Sequence, residues 1–440
     1  MKIKAKWLLV VLTVLFGSTV FASPATDLFH QVKIYMQINY NGFSKLDLAA
    51  HIKKYQALLD QACATKKDTC EFAVAREIIY QMIDELGDGH TYYLTPEEFE
   101  QTRQEQSGQV SSTLRIGIQY NRIAGSGDYV IEKVVSGGPA FEAGLLRGDR
   151  VTAIDKQPFP SVDEKLDPKS AEFAKQETTS RAFLTGFVRS GKPFTLSILR
   201  SGKPLELSMQ GKNFSAGEFP YWMRVPNLPA GVAVLNLPSF NTRGTAQKLH
   251  DLFAQALAYN IQTVIVDMRD NGGGFVTETV AGISAFMPDV TLAYNTRYDR
   301  KEFSYRAGSL FYLDSSDPES YLTLKINKPV KFRGQIAVLV NGESASGAEV
   351  AADAVQYAKR GVVIGEKTYG IANTGTFPSP LVDKGAIEIT HIRTVHANGT
   401  PLPDFVTPNY EVKGDLEELM KSGRDLMLEK ALDVFGYKAS

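Results

Sequence analysis

The chain has 440 residues, of which 43% are hydrophobic and 22% are charged, a balance that allows sizeable buried cores and two or three domains. It has 48 lysines and arginines against 49 aspartates and glutamates, a net charge of −1. This near-neutral charge argues against a nucleic-acid partner, which usually binds a basic face.

The N-terminus is typical of a secretory signal peptide. Three lysines precede an almost wholly apolar run from Trp7 to Val20, and residues 20–22 have the small-residue pattern that precedes cleavage. The run is too short for a comfortable membrane span of ~20 residues. We expect a signal peptide at 1–22, a mature chain from Ser23 and a periplasmic or otherwise exported protein. An uncleaved signal would be its one membrane contact.

The next segment, 23–110, is predicted to be helical, because apolar residues recur at helical spacing between Ile78 and Leu86. Thr95 is placed to cap another helix that begins at Pro96. The two cysteines of the chain, Cys63 and Cys70, lie in this region. An oxidising compartment favours a disulfide between them, and no neighbouring histidine suggests a metal site.

The segment 111–212 changes to short strands punctuated by Gly and Pro. Its run Val134–Ala140, followed by Ala143–Leu145 and Gly148-Asp149, resembles a PDZ domain. Such domains add a peptide C-terminus to a sheet edge and capture its carboxylate with loop amides. By this resemblance the carboxylate-binding loop contains Arg115, Ile116 and Gly117. The alternative is a β-module used only for packing.

The last segment, 213–440, alternates strands and helices, which indicates an open α/β sheet. Its predicted strands include Thr263–Met268 and Gln335–Val340, and its predicted helices include Thr245–Tyr259, Ala348–Ala358 and one terminal helix over 414–440. The fold class is therefore α/β, with a helical N-terminal region and a β-rich middle domain.

Two turns in this segment have the residues that hydrolysis needs. Ser346 lies where a buried strand ends and a helix begins, near the positive end of a helix dipole. Three consecutive glycines, 272–274, follow another buried strand and could aim bare amides at an oxyanion. A serine before a helix is otherwise typical of an N-cap, and the glycines of a plain turn.

Together these motifs resemble the S41 family of serine peptidases, the carboxy-terminal processing or tail-specific proteases. The resemblance implies a ClpP/crotonase-like catalytic domain, Ser346 as nucleophile, and the amides of Gly273 and Gly347 as the oxyanion hole. The motifs occur in the family's order over nearly the whole mature chain: Leu86–Thr91, the PDZ run, Pro238–Phe240, Asp267–Gly274, Ser344–Glu349, Gly365–Gly370 and Val406–Asn409.

One position departs from the family pattern. PDZ-bearing members use a lysine directly after the Tyr/Phe-Gly pair as the base, and here Ile371 follows Tyr369-Gly370. Lys367 occupies a different position of the motif. Tricorn-like members instead use a histidine from the N-terminal region, and His90 matches that motif. A histidine base predicts loss of activity as the imidazole is protonated near ~6.5.

Other candidates follow from the same chemistry. His391 and His396 are alternative bases. A carboxylate usually orients a catalytic histidine, and Asp404 is the nearest match to the acid of the His-type relatives. Glu349, in the first turn of the serine helix, could serve only the helix dipole. The six histidines are scattered, so we predict no metal and no cofactor.

The predicted function is an exported serine endopeptidase that recognises a protein or peptide with a free C-terminus and cleaves through an acyl-enzyme. Two alternatives remain open. One is a catalytically inactive PDZ-bearing pseudoprotease that acts as a binding module. The other is a hydrolase of small peptides or esters.

Overall fold

The computed structural model describes residues 23–107, 113–123, 127–135, 137–163, 165–167, 170–214, 218–225 and 227–437. The predicted signal peptide lies outside these ranges. None of the helices in the described ranges is both long and apolar enough to cross a membrane.

The N-terminal region is helical, as its apolar spacing predicts. Thr95 caps the last of its helices through a reciprocal pair of hydrogen bonds with Glu98 (2.8 and 3.2 Å). Cys63 and Cys70 form a disulfide that joins the second helix to the start of the third. The elements of this region are α1 (Pro24–Asn39), α2 (Leu48–Cys63), α3 (Phe72–Asp84), β1 (Tyr92–Leu94) and α4 (Pro96–Ser107).

The N-terminal region packs against the last segment of the chain. Strand β1 pairs with a strand of the last segment, Ala386–Glu388, and the helical core includes Leu381 and Ile387 from that segment. Residues almost 300 positions apart therefore share one core, which positions the segment after α3 against the C-terminal half of the chain.

The middle region is a six-stranded antiparallel sheet in which five strands follow the order β2-β3-β4-β6-β7 and β5 pairs with β4, and one long helix covers it. Its elements are β2 (Ile118–Arg122), β3 (Tyr129–Val134), α5 (Pro139–Glu142), β4 (Arg150–Ile154), β5 (Gln157–Pro158), α6 (Ala171–Arg189), β6 (Pro193–Arg200) and β7 (Lys203–Gln210). The sequence patterns predicted short strands in this region but not α6, which Ser170 caps.

The last region contains two six-stranded sheets. In the first, ordered β21-β16-β15-β10-β9-β8, neighbouring strands are parallel except for the edge strand β8. Its elements are β8 (Tyr221–Trp222), β9 (Val232–Asn236), α7 (Thr245–Ala258), β10 (Thr263–Asp267), α8 (Val276–Ile283), β15 (Gln335–Val340), α9 (Gly347–Tyr357), β16 (Val362–Gly365) and β21 (Tyr410–Glu411). The predicted α/β fold class is therefore confirmed.

The second large sheet is antiparallel and runs β14-β13-β12-β11-β20-β17. Its strands are β11 (Val290–Asn295), β12 (Arg300–Arg306), β13 (Ser309–Asp314), β14 (Asp317–Lys325), β17 (Thr374–Gly375) and β20 (Ile392–His396), and the small sheet with β1 adds β18 (Pro378–Pro380) and β19 (Ala386–Glu388).

The C-terminal segment differs from its prediction. Instead of one helix, it forms α10 (Leu416–Ser422) and α11 (Leu426–Val434). Gly423 ends the first helix, and the side chain of Asp425 caps the second by accepting a hydrogen bond from the Leu428 amide. The single-helix prediction was wrong because the capping residues interrupt the apolar pattern.

Candidate active site

The two predicted turns meet at one edge of the parallel sheet. Strands β10 and β15 are neighbours in parallel register, so their carboxyl ends open at the same place, where α/β sheets usually bind ligands. The glycine turn follows β10 and Ser346 follows β15. A Cβ placed on Gly273 would lie 2.7 Å from the Ser346 Cβ, so only glycine allows this approach.

Ser346 has a strained backbone. Its φ is 51° and its ψ is −114°, values that a non-glycine residue adopts only when its surroundings impose them. The Ser346 amide donates to the Glu349 carboxylate at 2.8 Å, and α9 begins at the next residue. The nucleophile candidate therefore lies directly before a helix, and the Glu349 carboxylate holds its backbone amide.

Glu349 is the centre of this arrangement and is fully buried. Besides the Ser346 amide, its carboxylate accepts hydrogen bonds from the Thr368 hydroxyl (2.6 Å), the Gly370 amide (2.9 Å) and the Ile371 amide (3.0 Å). Burial raises the pKa of Glu349, while these four donors act to lower it. Its position three residues after Ser346 is a capping-box spacing, but its contacts with residues 368–371 could not be read from the sequence.

His90 is buried and is connected through Thr374 to Ile371, one of the residues that Glu349 binds. Its Nδ1 lies 2.7 Å from the Thr374 hydroxyl, and that hydroxyl donates to the Ile371 carbonyl at 3.4 Å. If the hydroxyl oxygen accepts the Nδ1 proton, Nε2 is the unprotonated nitrogen. Burial lowers the pKa of His90 from 6.5 to about 4, against the opposing charge of Asp88.

The segment before His90 is fixed by Asp88. This carboxylate accepts hydrogen bonds from the His90 amide (3.0 Å), the Thr91 hydroxyl (3.1 Å) and the Thr390 hydroxyl (2.8 Å). A Cβ placed on Gly89 would lie 3.1 Å from the Ile371 side chain. The histidine segment thus packs against the residue that stands where lysine-type relatives have their base.

Ser346 and His90 belong to one hydrogen-bonded assembly. The connection runs from the Ser346 amide to Glu349, from Glu349 to Ile371, and through Thr374 to the imidazole. Among the described residues, no direct hydrogen bond joins the Ser346 hydroxyl to His90. Catalytic hydrogen bonds often tighten only when substrate binds.

The other base candidates lie elsewhere. The Lys367 side chain is exposed, with its ammonium 3.1 Å from the centre of the Phe405 ring. The His391 ring packs against Phe377, and His396 stacks on Tyr357 at 3.8 Å. Among the described residues, none of these three side chains hydrogen bonds to the Ser346 turn or to Glu349, whereas His90 is connected to both through Thr374 and Ile371.

Asp404 is not placed as the orienting acid. Its exposed carboxylate accepts a hydrogen bond from the Asn373 side chain, and its backbone carbonyl accepts one from the Ala372 amide (3.2 Å). The orienting partner of the imidazole in this structure is Thr374 instead. A single threonine hydroxyl carries no sequence signal that separates it from any other.

The predicted oxyanion donors differ in their availability. The Gly273 amide donates to the Asn271 side chain at 2.9 Å. The buried Asn271 also donates to the Leu237 carbonyl and accepts from the Ala345 amide, so it ties the two turns together. Within the described residues, the amides of Gly274 and Gly347 have no hydrogen-bond acceptor, and a Cβ placed on Gly347 would lie 3.4 Å from the Gly274 nitrogen.

A buried ion-pair cluster supports the glycine turn from behind. Arg269 bonds the carboxylates of Asp267 and Asp425 (2.6–2.9 Å) and borders a cavity of about 420 Å³. Burial by itself would raise the pKa of Asp425, but Arg269 lowers it to about 2. The C-terminal helices therefore anchor the turn that follows β10.

The predicted peptide-binding loop lines a cavity of about 490 Å³ between β2 and α6. The same cavity is lined by Ser239 and Asn241 of the last region. The Ser239 hydroxyl (3.4 Å) and the Phe240 amide (2.8 Å) both donate to the Gly273 carbonyl. Ser239, which lines the cavity, is thus hydrogen bonded to the glycine turn.

The part of the chain that the structure describes holds no group of three or more His, Cys, Asp or Glu side chains that could bind a metal ion.

A serine at the start of a helix, a neutral buried histidine and free glycine amides define the class of serine hydrolases on an α/β sheet. Residues 231–412 match the family model described as Peptidase family S41. This part of the chain is therefore similar to peptidase family S41, the family that its sequence motifs resemble.

Curated relatives agree with this assignment. The chain is 25% identical over 344 residues to the carboxyl-terminal-processing peptidase 1 of Arabidopsis thaliana chloroplasts, covering 76% of this chain and 60% of that protein. It is 24% identical over 294 residues to the carboxyl-terminal-processing protease of Synechocystis sp., covering 66% of this chain and 60% of that protein. The chain thus spans about 60% of the length of these two relatives.

The fold also has a solved counterpart. A structure from Bacteroides fragilis, described as an S41 protease, superposes with a TM-score of 0.53 at 15% identity, over 92% of this chain and 97% of that one. This likeness concerns the fold alone.

Proposed function

We propose that this protein is a serine endopeptidase that cleaves protein substrates through an acyl-enzyme at Ser346. The observation that carries the proposal is the strained Ser346 backbone, whose amide is bound by Glu349. The same carboxylate binds residues 368–371. Such strain costs of order 1–3 kcal/mol and is typical of functional turns. An ordinary N-cap serine has extended backbone angles and needs no such support.

The reaction begins with the neutral imidazole of His90. Its Nε2 accepts the Ser346 hydroxyl proton as Oγ attacks the scissile carbonyl carbon, and the carbonyl electrons move onto oxygen. The tetrahedral intermediate then expels the amine, which takes the proton back from Nε2. Water attacks the resulting ester with the same base, and the released acid leaves Ser346 as it began.

The developing oxyanion needs amide donors at the serine turn. Gly347 supplies one at the start of α9, where the first helical amides have no partner within the helix. In the present conformation Gly274 is the free neighbouring donor, and Gly273, the donor that the family resemblance suggests, is bonded to Asn271. We therefore propose Gly347 with the 273–274 turn as the oxyanion site.

Substrate recognition is proposed to use the middle region, residues 111–212, as a PDZ domain. Strand β2 is the edge of its sheet, so its outer side is open to an added peptide strand. The loop Arg115–Gly117 lies at the start of this edge and would receive the C-terminal carboxylate. The shared wall with Ser239 supports passage of the peptide from this groove toward Ser346.

The proposal includes export from the cytoplasm, with residues 1–22 as signal peptide, and the domain divisions 23–110, 111–212 and 213–440. The Cys63–Cys70 disulfide supports an oxidising compartment, where such bonds persist.

The test compares wild type with Ser346→Ala on casein and on a peptide with a free C-terminus. We expect the variant to lose turnover while keeping its circular dichroism and melting temperature, because a capping hydroxyl contributes only ~1 kcal/mol. Residual activity near the wild-type level would move the nucleophile elsewhere, first to Ser344.

A binding module without activity is the second candidate. It is favoured by Ile371 in place of lysine and by the lack, among the described residues, of a hydrogen bond between the Ser346 hydroxyl and His90. A fluorophosphonate probe distinguishes the two, because it labels an activated serine. Labelling of wild type but not of Ser346→Ala supports the peptidase, and no labelling of either supports the binding module.

A further inference from the structure

The segment that leaves the middle region folds back over the predicted carboxylate loop. Lys212 and Arg115 exchange two backbone hydrogen bonds of 3.0 Å, so the chain beyond β7 is tied to the loop. Two residues later, the ring of Phe214 reaches the loop itself. A Cβ placed on Gly117 would lie 2.8 Å from the Phe214 Cζ, and one placed on Gly138 would lie 3.0 Å away.

The same ring lies against the guanidinium of Arg115, whose central carbon is 5.3 Å from the ring centre. A cation over an aromatic face at this distance is attracted by the ring electrons. The Arg115 Nε is buried, and within the described ranges it has no hydrogen-bond partner and the guanidinium has no carboxylate partner. Arg115 is therefore a cation that contacts an aromatic ring and, in the described part of the chain, pairs with no acid.

Both residues line the cavity of about 490 Å³ together with Ile116, Gly117 and Leu184. The other acid–base pair in this lining, Lys133 and Glu218, is already joined at 2.7 Å. Among the described residues of the lining, Arg115 and Arg189 are the cations without a carboxylate partner, and Arg115 is the one that belongs to the predicted carboxylate loop.

We propose that Phe214 is a positioning residue for peptide recognition: it holds the Arg115 guanidinium over the loop so that this charge discriminates a free C-terminal carboxylate from a neutral end. This inference rests on the proposed PDZ function of residues 111–212. It adds that residue 214, which lies outside that segment, sets the preference for carboxylate. The ring lines the cavity, and Arg115 and Gly117 remain partly exposed beside it, while Ile116 is buried.

The experiment uses the full chain with Ser346→Ala, so that peptides bind without being cleaved. A fluorescein-labelled decapeptide ending in Leu is prepared as the free acid and as the C-terminal amide, and each Kd is measured by fluorescence anisotropy. Wild-type recognition is expected to favour the acid at least about tenfold, as charge-assisted hydrogen bonds to a carboxylate allow.

Two substitutions at residue 214 separate the ring face from simple packing. Phe214→Leu keeps an apolar side chain but removes the ring, and Phe214→Trp keeps a ring. We expect Phe214→Leu to weaken acid binding about two- to fivefold with amide binding unchanged, the value of an exposed cation–π contact. Phe214→Trp should restore the acid preference to within about twofold of wild type.

The outcomes distinguish this inference from the function on which it rests. Equal binding of acid and amide by the wild-type chain would refute carboxylate capture, and this inference with it. A wild-type preference for acid that Phe214→Leu leaves unchanged would refute the role of Phe214 alone. Tighter binding of both peptides to Phe214→Leu would identify the ring as a plug of the groove and would also overturn the proposal.

Discussion

Burial lowers the pKa of the His90 imidazole to about 4, so we expect the enzyme to remain active at a pH where an ordinary histidine base would be protonated. At pH 5, a base of pKa about 4 is about 90% neutral, whereas a base of pKa ~6.5 is about 3% neutral. The expected difference in kcat/KM at pH 5 is therefore about thirtyfold. This replaces the acid limb near 6–7 that the residue type alone suggests.

The assay measures kcat/KM for a fluorogenic peptide between pH 4 and 8, because this parameter reports the ionisation of the free enzyme. His90→Ala should remove most of the activity. His391→Ala is the matched histidine control, and Lys367→Ala, whose exposed ammonium lies on Phe405, is the amine control. Both controls should keep wild-type rates and the same pH profile.

A steep fall in kcat/KM near pH 6.5 would refute the burial argument for His90. Near-normal rates for His90→Ala would refute its role as base. Loss of activity in Lys367→Ala would instead point to a displaced serine–lysine pair.

The same shift makes an independent prediction for stability. The pKa of His90 is lower in the folded than in the unfolded protein, so between ~6.5 and about 4 the unfolded state binds more protons. Stability should therefore fall as pH decreases through this window, by up to about 1.4 kcal/mol per pH unit from this group. Urea unfolding at pH 7 and 5 should give a smaller difference for His90→Ala than for wild type.

Two further predictions follow from the contacts. Glu349→Gln should lower kcat at least about tenfold with little change in KM, because the amide nitrogen of glutamine would face donors that now bond the carboxylate. A steady-state kcat equal to that of wild type would contradict the positioning role of Glu349. Replacing Cys63 and Cys70 together by alanine should reduce the free energy of unfolding by about 2.5 kcal/mol, the loop-entropy value for a sequence separation of 7, and an unchanged urea midpoint would contradict it.

Much of the site was predictable because its motifs are local. The glycine turn and the Ser346 turn each combine a buried strand with small residues over fewer than ten positions, and the structure places both at the same sheet edge. The strand Gln335–Val340 was predicted with the bounds that the structure shows, since Ile336–Val340 is one uninterrupted apolar run.

The contacts that organise the site were not predictable. Thr374, which orients His90, comes from a two-residue strand far along the chain, and Asn271 bonds three different segments. The prediction of Asp404 as orienting acid rested on alignment to relatives, and the structure instead joins its carboxylate to Asn373. Side-chain partners separated by hundreds of residues leave no periodic signal.

The sequence by itself determined the α/β class and supplied the candidate residues for hydrolysis, because apolar periodicity and glycine turns act over short distances. Only the tertiary structure decided how these residues function together. The burial that keeps His90 neutral, the four donors on Glu349 and the ring beneath Arg115 all arise where distant segments pack. Desolvation and hydrogen-bond geometry depend on that packing, and no residue spacing encodes them.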